Sequence, residues 1–293
     1  MKTKSNSKFS QVVERLAPSP TGGLHLGHVF SAITTFRNAK KNKGLLKLRA
    51  EDIDSTRCKR SFEKEILENL TWLGISWDGK IMRQRYRIKY YRAAVDHLFK
   101  NGLIYPCSCS RTDIKNAISA PHNEEKSAQT YPGTCRNIST NKPIKALRLN
   151  ITKAMKFYPG KYVSFLESGP LSNYKLEQQK TSKMRLEERF GDLIVARSDI
   201  GTSYNLAVVI DDAAQNVTHV TRGNDLFSIT PIQVLLQFLL NLPTPIYYHH
   251  ALLYEQSGKK ISKRSSPKSV STLQRNGFTP DEVIGLAFQL AQN

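Results

Sequence analysis

Two imidazoles three residues apart, His25 and His28 in LHLGH, are the first side chains with chemistry to offer. On a helix that spacing sets both rings on one face, beside first-turn N–H groups that favour anions. The neighbouring glycines, Gly27 among them, leave room for a nucleotide to approach the backbone. A plainer reading gives one His to capping the helix and the other to the core. Far along the chain, KKISKR (259–264) places Lys260 and Lys263 in a Gly/Ser-rich stretch that can fold over phosphates. Taken alone, it is a solvated basic loop. Cys107, Cys109 and Cys135 add three thiols, one ligand short of the four that structural zinc takes. On ligand chemistry alone, His122 is the fourth choice, because imidazole is a far commoner ligand than phenol. Cys58 stands apart in sequence and reads as an ordinary small apolar side chain.

These groups need elements to hold them. Residues 11–16 (QVVERL) read as a strand that runs into the Pro/Gly turn PSPTGG. From Leu24 to about Lys41 the spacing of Leu26, Val29, Phe30 and Ile33 predicts a helix, and Leu45–Ala50 the next strand. Strand, helix, strand is the unit of a parallel sheet with a right-handed crossover. Phe62, Ile66, Leu70 and Leu73 predict a second helix, and residues 84–101 a third. Residues 105–145, punctuated by Pro, read as a small insertion without a core of its own, and 152–190 as mobile loops. Strands are expected again at 192–197 and 203–210, joined by SDIG as a hairpin, with another ending near Tyr254. Asp211 and Asp212 would then end a strand, where a metal site is conceivable but ion pairing or strand termination is preferred. Thr230–Pro231 and Thr279–Pro280 each read as N-cap and N1 of a helix. RQRYRIKYYR (83–92) could grip RNA with its tyrosines and arginines, or form a helix with a buried tyrosine stripe; the helix is preferred.

Composition narrows the classes. With 39% hydrophobic residues the chain can bury a core, and no apolar run approaches the roughly 18 residues of a membrane span. The basic N-terminus has no apolar stretch behind it, so a secretory signal is excluded and a soluble cytoplasmic protein is expected. Four cysteines in 293 residues do not make a disulfide scaffold. The net charge of +20 favours a polyanion partner, though a merely solubilising surface would also account for it.

Taken together, HLGH (25–28) and KISKR (260–264) match the two signature halves of a class I aminoacyl-tRNA synthetase site. RLAPSPTGGLHLGH, LRAEDIDSTR (48–57), YNLAVVIDD (204–212), THVTRGNDL (218–226) and KISKR also occur in the order found in glutamyl synthetases. Only 29 residues follow Arg264 in a chain of 293, too few for the helical anticodon-binding region of a full glutamyl-tRNA synthetase. The chain therefore resembles the truncated paralogues, the glutamyl-queuosine tRNA(Asp) synthetases.

That resemblance implies an α/β fold: a Rossmann-like parallel sheet domain with a small zinc-binding insertion and a short helical C-terminal part. Its expected divisions are 11–104 and 146–254 for the two catalytic halves, 105–145 for the insertion, and 255–293 for the lysine loop and C-terminal helices. It implies that Arg15 and Ser19 hold substrate carboxylates, that Glu51 pairs with the ammonium, and that Tyr204 and Arg222 close the far side. Arginine forks suit a dicarboxylate, and one carboxylate suits an ammonium. Structural ion pairs are the plainer reading of each. His25, His28 and Lys263 would stabilise the transferring phosphoryl centre, with Gly27 and Lys260 also on ATP and its Mg2+. The family pattern puts the fourth zinc ligand at Tyr131, in YPGTC before Cys135; here a loop of 21 residues separates Cys109 from it, so His122 stays open.

The implied reaction activates L-glutamate with ATP and esterifies it onto queuosine in the tRNA(Asp) anticodon, in a monomer with no membrane contact. Two alternatives stand beside it. One is a minimal glutamyl-tRNA synthetase charging the 3′ end of tRNA(Glu), against which the missing anticodon region argues. The other is a zinc RNA-binding protein without catalysis, against which the intact HLGH and KISKR argue.

Overall fold

In the computed structural model, residues 11–110, 112–114, 130–138, 141–254 and 269–291 are described. The KISKR motif and His122 lie outside them.

β1 (Val13–Leu16) is buried along its whole length, Glu14 and Arg15 included, so it must lie inside a sheet. It pairs in parallel with β2 (Leu45–Ala50), which pairs in parallel with β3 (Met82–Arg83). The crossover from β1 to β2 is α1 (Leu26–Lys41), and α2 (Arg60–Trp72) links β2 towards β3. A second set joins β9 (His219–Gly223), β10 (Ile246–His250) and β6 (Tyr162–Glu167) in parallel, with β7 (Glu177–Ser182) antiparallel at the edge. The two sets meet where the Thr218 N–H donates to the Val13 carbonyl (2.9 Å) and the Val13 N–H to Thr218 Oγ1 (2.8 Å). Across that junction the strands run β3-β2-β1-β9-β10, an order that reverses direction at β1 and β9. In open α/β sheets, the carboxyl ends of the strands at such a reversal form a ligand crevice.

Two apolar cores fill the molecule. The first lies between β1, β2, α1 and α2 and is closed by the C-terminal helices α8 (Val270–Arg275) and α9 (Pro280–Gln289). The second gathers α3 (Ile88–Lys100), α4 (Ile151–Phe157), α6 (Tyr204–Ala214) and α7 (Thr230–Leu239) around β6 and β10. A third, antiparallel sheet of β4 (Ile104–Cys107), β5 (Ala146–Leu149) and β8 (Ile194–Arg197) carries the cysteine segment.

Several elements differ from the sequence reading. Residues 204–214 are the helix α6, not a strand, so SDIG is no hairpin. Ser203 caps it by accepting the Leu206 N–H, and burial of Leu206, Ala207, Val208 and Val209 explains the unbroken apolar run that imitates a strand. Asp211 and Asp212 therefore project from a helix. Residues 151–190 hold α4, β6, β7 and α5 (Lys183–Phe190) rather than loops. β6 alternates faithfully, but its buried positions are Val163, Phe165 and Glu167, and the glutamate hides the pattern. β10 ends at His250, short of Tyr254. Thr230 is the first residue of α7, not its cap, because its hydroxyl is engaged by Arg222 and Leu226. Thr279 does cap α9, in a reciprocal box with Glu282.

Candidate active site

Arg15 near the end of β1, Glu51 just past β2, Arg222 near the end of β9 and Tyr204 opening α6 converge at the strand-order reversal. With His28 they line a cleft of about 150 Å³. Sequence-distant charges thus meet because each sits at the carboxyl end of a neighbouring strand or at the start of the helix above.

Burying such charges costs several kcal/mol each unless they are paired, and here they are. Arg49, fully buried on β2, donates to Asp212 Oδ1 (2.6 Å), Gln215 Oε1 (3.1 Å) and Glu51 Oε1 (3.2 Å). Burial opposes its charge, but Asp212, Glu51 and Asp211 hold the guanidinium protonated more firmly than usual. Arg15 donates from Nη1 to the Thr221 carbonyl (3.0 Å), and its Nε faces Asp212 Oδ1 at 3.5 Å. Burial pushes the Glu51 carboxyl up, with Arg49 and Arg15 opposing. Tyr204 leaves 39% of its surface exposed, yet burial around the hydroxyl and nearby Glu51 push it to about 12. Beneath Arg15, burial raises Glu14 to about 7 despite hydrogen bonds from Thr221.

Arg222 is held differently. Its Nε donates to His249 Nε2 (3.0 Å), Nη1 to Gln233 Oε1 (2.7 Å), and Nη2 to Thr230 Oγ1 (2.7 Å) and the Leu226 carbonyl (3.5 Å). His249 can accept there only because its Nδ1 faces Glu167 Oε2 at 2.6 Å, which fixes the proton on Nδ1. Burial keeps that imidazole below its ordinary pKa. Among the described residues, four of five Arg222 hydrogens are thus committed, leaving one on Nη1. Among the same residues, Arg15 keeps both hydrogens on Nη2 and one on Nη1. The pair therefore offers one two-pronged donor and one single donor, where the sequence suggested two forks.

At the start of α1, His25 is indeed the cap. Its Nδ1 accepts the Gly27 N–H (3.1 Å), while His28 Nδ1 accepts the His25 N–H (3.2 Å). The rings lie 3.7 Å apart. With both Nδ1 atoms accepting, each neutral imidazole carries its proton on Nε2, as a donor. Capping and anion binding are thus compatible roles for the same rings. His25 and Gly27 stand at this helix start, and neither they nor Ser19 line the cleft. Lys260 and Lys263 lie outside the described residues.

A separate cluster brings the Sγ atoms of Cys107, Cys109 and Cys135 within 4.8 Å of one another. The Tyr131 hydroxyl lies 3.5 Å from Cys107 Sγ and 3.7 Å from Cys109 Sγ, and accepts the Cys135 N–H at 2.9 Å. Arg148 Nε donates to Cys107 Sγ at 3.3 Å, with its guanidinium 3.7 Å over the Tyr131 ring. Burial pushes the Cys135 thiol up, but contacts with Tyr131, Ser108 and Cys109 bring it down to about 7. Three thiols and a phenol converging on one point could hold a metal ion. Cys58 is remote from them, half-buried beside the Glu51 carbonyl.

Sequence reasoning missed Arg49, Glu167 and His249, which with Asp212, expected to form an ion pair, position the cleft's arginines and Glu51. Arg49 stands two residues before Glu51 in LRAED, and that adjacency was its signal. The others have none without the fold.

The model of the tRNA synthetases class I (E and Q) catalytic domain matches residues 11–288. The chain belongs to that family, a family of ligases. Over 281 residues, spanning 94% of this chain and 100% of the relative, it is 42% identical to the glutamyl-Q tRNA(Asp) synthetase of Rhodobacter capsulatus. The enzyme of the same name from Geobacter sulfurreducens is 38% identical over 263 residues, 89% of this chain and 78% of the relative. The fold matches the crystal structure of the glutamate-tRNA synthetase from Elizabethkingia anophelis with a TM-score of 0.69 at 24% identity, covering 92% of this chain and 54% of that one. The chain thus spans about half the length of that solved relative and most or all of the two others. Among the described residues, no helix is long and apolar enough to cross a membrane.

Proposed function

We propose that the protein is an ATP-dependent ligase that activates L-glutamate as glutamyl-adenylate and transfers the glutamyl group to queuosine in the anticodon of tRNA(Asp). One observation carries this: Arg15, Glu51 and Arg222 meet in one cleft at the sheet's reversal point. Two cations and one carboxylate suit a small molecule with two carboxylates and one ammonium. The queuosine-tRNA acceptor is supported by the names of relatives matched over most of their length.

Arg15, with its uncommitted edge, takes one carboxylate in a two-point contact, Arg222 gives a single donor to the other, and Glu51 holds the ammonium. Tyr204 completes the pocket, and Ser19, next to the lining Pro18, stands at its edge. A carboxylate oxygen of glutamate attacks the α-phosphorus of ATP, the new P–O bond forms, and pyrophosphate leaves. His25 and His28 donate from Nε2 to phosphate oxygens, with Gly27 at the backbone and Lys260 and Lys263 over the phosphates. Mg2+ bound with ATP neutralises part of the phosphate charge. A queuosine hydroxyl then attacks the acyl carbonyl and AMP departs.

Cys107, Cys109, Cys135 and Tyr131 fit one structural Zn2+, which would cross-link the segment between β4 and β5. A reaction of ATP with tRNA belongs in the cytoplasm, and a monomer is the expected state.

ATP–pyrophosphate exchange tests the activation step. Glutamate supports exchange, whereas glutamine and aspartate do not. Glutamine would leave an arginine buried and unpaired, and aspartate falls short in reach. Lys263→Ala lowers exchange by about 10²–10⁴-fold, the scale of a lost transition-state charge partner. Equal exchange with glutamine overturns the glutamate assignment. Equal transfer to queuosine-lacking tRNA(Asp) overturns the acceptor.

A further inference from the structure

Beyond Glu51 lies a second cleft, of about 500 Å³, which glutamate activation leaves unused. It is walled by the segment 52–60, by Arg85, Ile88 and Arg92, and by the turn 198–201. Its two carboxylates are already matched: Asp52 by Arg85 at 2.7 Å, and Asp199 by Arg197. Arg60 and Arg92 also line it, both exposed, and among the described residues neither has a carboxylate partner. The cleft therefore presents two unmatched guanidinium groups to solvent.

Near it, Tyr86 is 67% exposed, with the Arg85 guanidinium 5.0 Å from its ring centroid. A hydrogen bond from Arg85, with Arg60 and Arg83 close by, holds the phenol below its ordinary pKa. Tyr91, by contrast, is fully buried against Asp211. The RQRYRIKYYR segment thus divides its tyrosines between the core and an exposed arginine cluster.

The position matters as much as the charge. Glu51 lines the first cleft and Asp52 the second, so a single peptide unit divides them at that point. The turn 198–201 lines the second cleft, and Tyr204, three residues on, lines the first. A polyanionic chain seated in the second cleft lies next to where an activated acyl group would form.

We propose that the second cleft seats the backbone of the acceptor RNA, with Arg60 and Arg92 on a phosphodiester and Tyr86 offering its ring to an adjoining base. This rests on the RNA-acceptor reading above. The phosphates of ATP share the same chemistry, and the test separates the two sources.

Arg60→Ala/Arg92→Ala and Tyr86→Ala alter exposed side chains of the full-length protein. A control, Lys100→Ala/Lys180→Ala, removes the same charge elsewhere. Fluorescence anisotropy measures tRNA(Asp) binding across a salt series, and exchange measures glutamate activation. The double arginine variant should weaken tRNA binding about tenfold or more and flatten the log K against log salt slope by about 1–2. Tyr86→Ala should weaken binding by about fivefold or more with the slope kept. Exchange, including KM for ATP, should stay within about twofold. Unchanged tRNA binding overturns the proposal, as does a control that weakens binding equally. A raised KM for ATP with tRNA binding intact assigns the phosphate to ATP and also overturns it. Wild-type protein without glutamate-dependent exchange would overturn the activation reading alone, because binding is measured without turnover.

Discussion

The glutamate cleft and the thiol cluster are assembled on opposite plans. The cleft draws Arg15, Glu51, Tyr204 and Arg222 from segments as distant as β1 and β9, and each arginine is steadied by buried charge or imidazole on another element. The thiol cluster takes Cys107, Cys109, Tyr131 and Cys135 from one stretch and, contrary to the sequence reading, rests on a small satellite core of its own, built by the thiols and Tyr105 themselves. The difference follows from the cost of charge. A guanidinium or carboxylate enters a protein interior only with its partner in place, so the cleft exists only once the sheet is complete. A thiol is far less costly to bury than a guanidinium or carboxylate, so it tolerates a small core built locally. The cleft is a property of the whole fold, and the thiol cluster of one segment.

The largest expected effect breaks the cleft and spares the cluster. If Arg15 holds a substrate carboxylate as proposed, Arg15→Leu removes that contact and leaves Asp212 with one partner fewer, so exchange should fall by about 10³-fold or more. Arg222→Leu should do the same, while KM for ATP and bound zinc change little in both. A variant that binds glutamate normally would show that these are structural ion pairs only.

Cys135→Ser tests the other side. Metal analysis should find the zinc lost, and exchange should drop less than about tenfold, because the cleft does not rest on that segment. Exchange collapsing as far as in Arg15→Leu would erase the contrast. Tyr131→Phe should weaken zinc affinity by about 10–100-fold. Zinc kept by Tyr131→Phe but lost from His122→Ala would move the fourth ligand to His122.

The smallest effect probes the buried carboxyl next to Arg15 on β1. Glu14 keeps its proton to about 7 in the fold, against an ordinary 4.5. Between those values the folded state binds more protons than the unfolded chain, so stability falls as pH rises through that window and then levels. Glu14→Gln keeps the neutral shape. It should therefore exceed wild type by on the order of 3 kcal/mol at pH 8, and by about 1 kcal/mol or less at pH 5, in urea unfolding. An equal difference at both pH values would mean that Glu14 is not held protonated.

Local patterns exposed several elements well. The β1–α1–β2 unit, a histidine cap at the start of α1 and the Thr279 cap are short-range facts, written in periods of a few residues. The misreadings at 152–190 and 203–210 share one cause. Glu167 on an inward strand face and four successive buried apolar residues in α6 obey burial imposed by distant elements, not the local period.

By itself, then, the sequence determined which side chains could do chemistry, and the order of motifs that identifies the family. Only the tertiary structure decided how those side chains are poised. Among the described residues, it commits four of the five Arg222 hydrogens to α7, β10 and the Leu226 carbonyl, and leaves Arg15 an edge without partners. It also turns Asp212 from a strand end into the helix-borne counter-ion of Arg49. Side-chain identity is local, but the partners that make a buried charge affordable come from elsewhere in the chain, and only folding brings them within hydrogen-bonding distance.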